Sequence, residues 1–176
     1  MDSRTPPLVN LEQGELYIGI RPAEVRTVLG SCVSITLYHP RLRVGTICHS
    51  RLAERACDQP LCGLKICRNL GDYVTCSVMF MLSYFEHHGA TRQELVVKLF
   101  GGANMFNLQK NDEALIGRRN VNAAMALIRR ERLHLLATDV GGGASRLLTF
   151  HTATGEVLLK RNKIGLSPAS EPPSPS

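Results

Sequence analysis

Glycine interrupts the apolar runs of this chain before any of them grows long. Leu95 to Phe100 (LVVKLF) stops at Gly101-Gly102, and His134 to Val140 stops at Gly141-Gly142-Gly143. Thr27-Val28-Leu29 meets Gly30-Ser31 before the β-branched pattern resumes through Tyr38. Short β-branched and aliphatic runs bounded by such breakers read as strands, since helices need longer windows with a 3.6-residue period. The longest purely apolar run, Val78 to Leu82, falls far below the roughly 20 residues of a membrane helix. No membrane insertion is expected, and Met1 to Leu11 lacks the apolar centre of a signal peptide.

The strand reading runs Thr27 to Tyr38, a turn at His39 to Leu42, and Val44 to His49 as the second arm of a hairpin. Leu95 to Phe100 and His134 to Val140 follow, and Leu147–His151 with Glu156–Lys160 forms a last hairpin around Thr154-Gly155. Two segments carry a helical period. Thr75 to His88 has Thr75 as candidate N-cap and Gly89 beyond its end; Asn120 to Arg132 has basic residues in its last turn, where cations suit the helix dipole. The predicted fold class is α+β, with helices packed on a largely antiparallel sheet in a single layered domain. The domain is expected to span residues 8–166, with a Pro/Ser-rich disordered tail at 167–176.

The chemistry of interest lies in the first hairpin. If its turn occupies residues 39–42, Tyr38 faces Arg43 and antiparallel partners keep a constant index sum. Cys32 then lies opposite His49, with Cβ atoms roughly 4.5–5.5 Å apart. A shift of two in the sum leaves them diagonal on the same face, whereas a shift of one separates the faces. A thiol beside an imidazole is the pairing that nucleophilic thiol catalysis needs. Gly30 lets the chain bend there, and the N–H groups around Ser31 and Cys32 could meet a developing oxyanion. The same spacing also fits a small buried hydrophobe beside a satisfied core histidine.

Composition narrows the field further. Lys and Arg number 21 against 15 Asp and Glu, a net charge of +6, which suits an acidic partner. The basic residues are scattered and no aromatics interleave with them, which argues against nucleic acid. Six cysteines without a secretory signal point to reduced thiols and a cytoplasmic protein. Cys57, Cys62, Cys67 and Cys76 match neither zinc nor common iron–sulfur spacings, so no metal and no cofactor is expected; these four thiols have no assigned role.

The run Thr27-Val28-Leu29-Gly30-Ser31-Cys32-Val33 resembles the nucleophile motif of the bacterial CheD family, the chemoreceptor glutamine deamidases. His49 follows at that family's spacing. Lys98 to Met105 (KLFGGANM), Ile116 to Asn120 (IGRRN) and Asp139 to Arg146, followed by Phe150, Gly155 and Lys160, resemble its further motifs in order. The chain reads Leu52-Ala53 where the family runs Leu-Pro, and Ser145 where glycine is common. The resemblance implies a Cys–His–Thr catalytic set with Cys32 as nucleophile, His49 as base and acid, and Thr27 orienting the imidazole. Thr27 stands an odd number of positions before Cys32, so only a kink at Gly30-Ser31 brings it round. The implied activity is cysteine-dependent deamidation of glutamine side chains on methyl-accepting chemoreceptors, a protein-glutamine glutaminase reaction. The alternative the family implies is a weakly catalytic adaptor that docks to receptors or to a CheC-type phosphatase.

Overall fold

The computed structural model describes residues 5–55, 67, 69–104 and 112–163. The expected tail at 167–176, together with Cys57 and Cys62, lies outside the described residues. Among the described residues, nine strands form two sheets rather than one. The first sheet joins β1 (Leu8–Asn10), β3 (Glu24–Leu29), β8 (Ala144–His151) and β9 (Glu156–Lys163), in that order. The second joins β2 (Leu16–Ile18), β5 (Val44–Cys48), β4 (Val33–His39), β6 (Val96–Gly101) and β7 (His134–Val140). Among these strands, β1 with β3 and β6 with β7 run parallel, and the remaining strand pairings are antiparallel. The α+β class and the dominance of antiparallel pairing therefore hold.

The run expected as one strand from Thr27 to Tyr38 is two strands in different sheets. Gly30, Ser31 and Cys32 form a bend between them. Along β3, Val25, Thr27 and Leu29 are buried while Arg26 and Val28 are exposed, the period-2 pattern of a sheet with one covered face. β4 is buried along almost its whole length, because both its faces are covered.

Those two covers define the layers. On one face of the second sheet, Val33, Ile35, Leu37 and Leu99 pack against α1 (Val74–His87) and α2 (Asp112–Arg130) through Val78, Met81, Phe85, Ala124 and Leu127. On its other face, Ile47 meets Leu11, Val25 and Phe150 of the opposing layer, and Phe100 meets Leu29, Cys32 and Leu148. The order is sheet, sheet, helices. No helix among the described residues is long and apolar enough to cross a membrane.

Three local expectations need correction. The N-cap of α1 is Tyr73, without a side-chain cap, not Thr75. α2 begins at Asp112, not near Asn120, so the IGRRN run is helical. The first hairpin pairs His39 with Val44 and Tyr38 with Gly45, so its loop holds Pro40 to Arg43. Arg43 takes a left-handed φ of 54° and returns its N–H to the His39 carbonyl at 2.9 Å. That closure adds two to the index sum expected from the sequence.

Candidate active site

The corrected register decides where the three candidate residues lie. Val33 and Ser50 exchange both main-chain hydrogen bonds at 2.9 Å, which fixes the same index sum at the far end of the hairpin. Cys32 accordingly stands opposite Arg51, and His49 opposite Ser34. Cys32 and His49 are diagonal neighbours on one face rather than directly opposed. That face is the seam between the two sheets. Both residues are almost closed to solvent, Cys32 at 5% and His49 at 3% exposure.

Thr27 comes to His49 from the other sheet. Its Oγ1 lies 2.8 Å from His49 Nδ1 and donates to the Leu11 carbonyl at 2.8 Å. The hydroxyl has one hydrogen, and the carbonyl can only accept, so that hydrogen points at Leu11. Nδ1 must then carry the ring proton and donate it to Oγ1 when the imidazole is neutral. Nε2 is left as the bare acceptor, and it has no partner among the described residues. The main chain of His49 is held as tightly: its N–H donates to the Glu15 carbonyl at 2.9 Å and its carbonyl accepts from Gly14 at 2.8 Å. The sequence could not single out Leu11, because every residue offers a carbonyl.

Burial sets the charges. It pushes the Cys32 thiol above its ordinary range, opposed by the Arg51 guanidinium and by the residue's own N–H. It pulls the His49 imidazole below its ordinary range, opposed by the Leu11 carbonyl and Glu15. The free protein therefore holds a neutral thiol and a neutral imidazole near neutral pH. Arg51 is itself anchored by Asp72, Nε to Oδ1 at 2.9 Å and Nη2 to Oδ2 at 3.1 Å.

The glycine-rich motifs meet at the Cys32 bend. Gly102 N–H donates to the Cys32 carbonyl and Ala103 N–H to the Gly30 carbonyl, both at 2.8 Å. Gly101 has φ 106°, and a methyl there would overlap the Cys32 carbonyl oxygen. Behind it, Gly141 N–H donates to Gly101 and Asn104 N–H to Gly142. Arg146, 3% exposed, holds the Gly141 carbonyl at 2.7 Å and Asp139 at 2.8 Å. Asp139 also takes Arg161. From α2, Asn120 donates to the carbonyls of Ser31 at 3.3 Å and Arg51 at 2.9 Å. Motifs far apart in sequence thus share one task, which is to clamp the backbone around Cys32.

One cleft opens on this seam and another lies beside α2. The first, of about 470 Å³, is lined by Thr27, His49, Leu11, Arg26 and Val28. The other, of about 590 Å³, runs between α2 and Leu52–Glu54 and is lined by Tyr73, Ile116, Arg119, Asn120 and Ala123. Cys32, Cys48 and Cys67 are free thiols.

The family model described as CheD chemotactic sensory transduction matches residues 65–161 of this chain. That span holds Asn120, Asp139 and Arg146 and begins after Cys32 and His49. Whole-chain relatives cover the rest. The chain is 40% identical over 163 residues to the probable chemoreceptor glutamine deamidase CheD 2 of Geobacter sulfurreducens, spanning 92% of this chain and 95% of that protein. It is 41% identical over 160 residues to the probable chemoreceptor glutamine deamidase CheD of Maridesulfovibrio salexigens, spanning 87% and 91%. A third relative, from Chromobacterium violaceum, is 34% identical over 156 residues.

Proposed function

The chain belongs to the CheD family, and on that premise we propose that it deamidates glutamine side chains of chemoreceptors to glutamate, with Cys32 as nucleophile, His49 as base and acid, and Thr27 orienting the imidazole. The observation that carries this reading is the hydrogen-bond relay from Nδ1 of His49 through Thr27 to the Leu11 carbonyl. It leaves Nε2 basic and unpartnered on the face that Cys32 shares.

In the first half-reaction the Cys32 thiol gives its proton to Nε2 as sulfur bonds to the carboxamide carbon. Main-chain N–H groups at the Ser31–Cys32 bend would receive the oxyanion. The imidazolium then returns its proton to the nitrogen, the C–N bond breaks and ammonia leaves. In the second, water loses a proton to Nε2 and attacks the thioester. The C–S bond breaks, the sulfur takes that proton back, and the product is glutamate. A positioned imidazole of this kind contributes about 10²–10⁴-fold. Every step is proton transfer and acyl exchange within these side chains.

The test is ammonia release from chemoreceptor cytoplasmic fragments, with mass spectrometry locating the Gln→Glu conversion. The wild type should release ammonia, and Cys32→Ala should not. Wild-type activity in Cys32→Ala overturns the nucleophile assignment. A CheC-type phosphatase as a docking partner is part of the same reading; capture of such a phosphatase by Cys32→Ala would separate docking from catalysis.

A further inference from the structure

Two buried polar atoms of the seam, Nε2 of His49 and Oγ of Ser34, have no partner among the described residues. The ladder sets these residues side by side. Val33 and Ser50 exchange both main-chain hydrogen bonds, so the next pair, Ser34 with His49, is a non-hydrogen-bonded one. In such a pair the Cα atoms close to about 4.5 Å and the side chains stand nearest each other. The His49 main chain accordingly bonds away from β4, to Glu15 and Gly14. On its other side Ser34 pairs with Phe100, which packs in the seam with Leu29, Cys32 and Leu148. Ser34 is 0% exposed. Its hydroxyl thus lies among apolar side chains, on the face that carries the nucleophile and the imidazole. Buried polar groups that face each other without bonding directly are commonly bridged by an ordered water.

We propose that Ser34 Oγ and His49 Nε2 together hold the water that hydrolyses the thioester. This rests on the deamidase reading and adds a positioning residue to its second half-reaction. Once ammonia has left, Nε2 carries no proton and accepts one hydrogen of the water. The Ser34 hydroxyl donates to the water oxygen, which keeps one lone pair free for the carbonyl carbon on Cys32. Oxygen bonds to that carbon as the water proton passes to Nε2. The C–S bond breaks with its electron pair on sulfur, which takes the proton back, and Ser34 is left unchanged. Acylation needs only the thiol and Nε2, so the hydroxyl acts on hydrolysis alone, by fixing where the water stands.

Hydroxylamine attacks the same thioester and leaves a hydroxamate, so the ratio of hydroxamate to glutamate compares it with water at one intermediate. With a chemoreceptor cytoplasmic fragment and a fixed concentration of hydroxylamine, Ser34→Ala should raise that ratio about tenfold over wild type, the effect of one hydrogen bond on a positioned reactant. A merely structural loss slows formation of the thioester and lowers both products by one factor. An unchanged ratio in Ser34→Ala therefore overturns the proposal. A second measurement leaves Ser34 untouched. A high-resolution crystal structure of the wild-type protein should show a water within hydrogen-bond distance of both Ser34 Oγ and His49 Nε2. Electron density without that water overturns the proposal whether or not Ser34→Ala folds. Wild-type protein that forms neither glutamate nor hydroxamate would instead overturn the deamidase reading, so the two failures are distinguishable.

Discussion

Thr27 shows what a single hydroxyl decides in this protein. Thr27→Val keeps the shape but leaves the Leu11 carbonyl and His49 Nδ1 without their partner, at a cost of about 1–3 kcal/mol for buried polar groups. It also frees the imidazole tautomer, so kcat should drop about 100-fold, within the range of a general base. Thr27→Ser should stay within a few-fold of wild type, and steady-state ammonia release compares the two. The thiol gives a second reading. Because burial raises Cys32, its alkylation by iodoacetamide should keep rising with pH beyond the range of an ordinary thiol near 8.5, with no plateau at neutral pH. Arg51 opposes that shift, so Arg51→Ala should alkylate more slowly at any given pH. The factor should be only about two to five, because the guanidinium is half exposed and shared with Asp72. Faster alkylation in Arg51→Ala would show the sign to be wrong. Cys32 and His49 could be singled out from the sequence by motif and parity, and Thr27 by motif alone, since its odd spacing from Cys32 turns it away on a regular strand. Leu11 could not, since it acts through a main-chain atom, and Arg51 emerges only with the corrected hairpin sum.

The glycine turns around the site divide into those where a side chain would strike it and those with room for one. Gly141 has φ 72° with no atom within 4 Å of where a Cβ would stand. Gly141→Ala should therefore cost only the left-handed backbone penalty, about 1–2 kcal/mol, with activity near that of wild type. At Gly101, with φ 106°, a Cβ would overlap the Cys32 carbonyl oxygen, so Gly101→Ala must displace the nucleophile's own main chain. Its kcat should fall at least about tenfold even where the protein folds, since a shift of roughly 1 Å at a reacting group costs up to 100-fold. Urea unfolding and turnover on the same preparations separate the two effects, and equal turnover in both variants would refute the distinction. The strap behind the turns can be probed through Asp139. Burial alone would raise its carboxyl, but hydrogen bonds from Arg161 and Arg146 outweigh that and hold it below the ordinary range. Asp139→Asn strands the buried Arg146 charge and should cost about 3 kcal/mol. Glycines at 101–102 and 141–143 could be read from the sequence as strand ends. Their meeting at Cys32 could not, because it depends on two loops about forty residues apart closing on one bend.

At the scale of the whole molecule, the seam between the sheets is both a core and the place where the candidate site lies. Thr27 arrives from one sheet and His49 from the other, so their 2.8 Å contact exists only while the sheets are face to face. The sequence made the fold class legible through its strand and helix periods, yet two features hid the second sheet. β1 and β2 are three residues each, too short for a pattern, and the bend at Gly30 lies inside what looks like one continuous strand. The layering sets up a comparison between two phenylalanines of equal burial. Phe85 is fully buried among the helices and the second sheet, and Phe150 is fully buried in the seam with Leu11, Val25 and Ile47. Either one truncated to alanine should lose about 3–5 kcal/mol of stability, because the chemical change and the burial are the same. Their effects on turnover should differ. Phe150→Ala loosens the packing around Leu11, whose carbonyl holds the Thr27 hydroxyl, and so releases the imidazole from its fixed tautomer. Phe85→Ala opens its cavity on the far side of the second sheet, where none of these hydrogen bonds run. Turnover per folded molecule, measured well below each variant's unfolding midpoint, should be near wild type for Phe85→Ala and about tenfold lower for Phe150→Ala, of the order expected when a positioning contact loosens by a fraction of an ångström. Matching losses in the two variants would mean that global stability, and not the face-to-face register of the sheets, sets the activity.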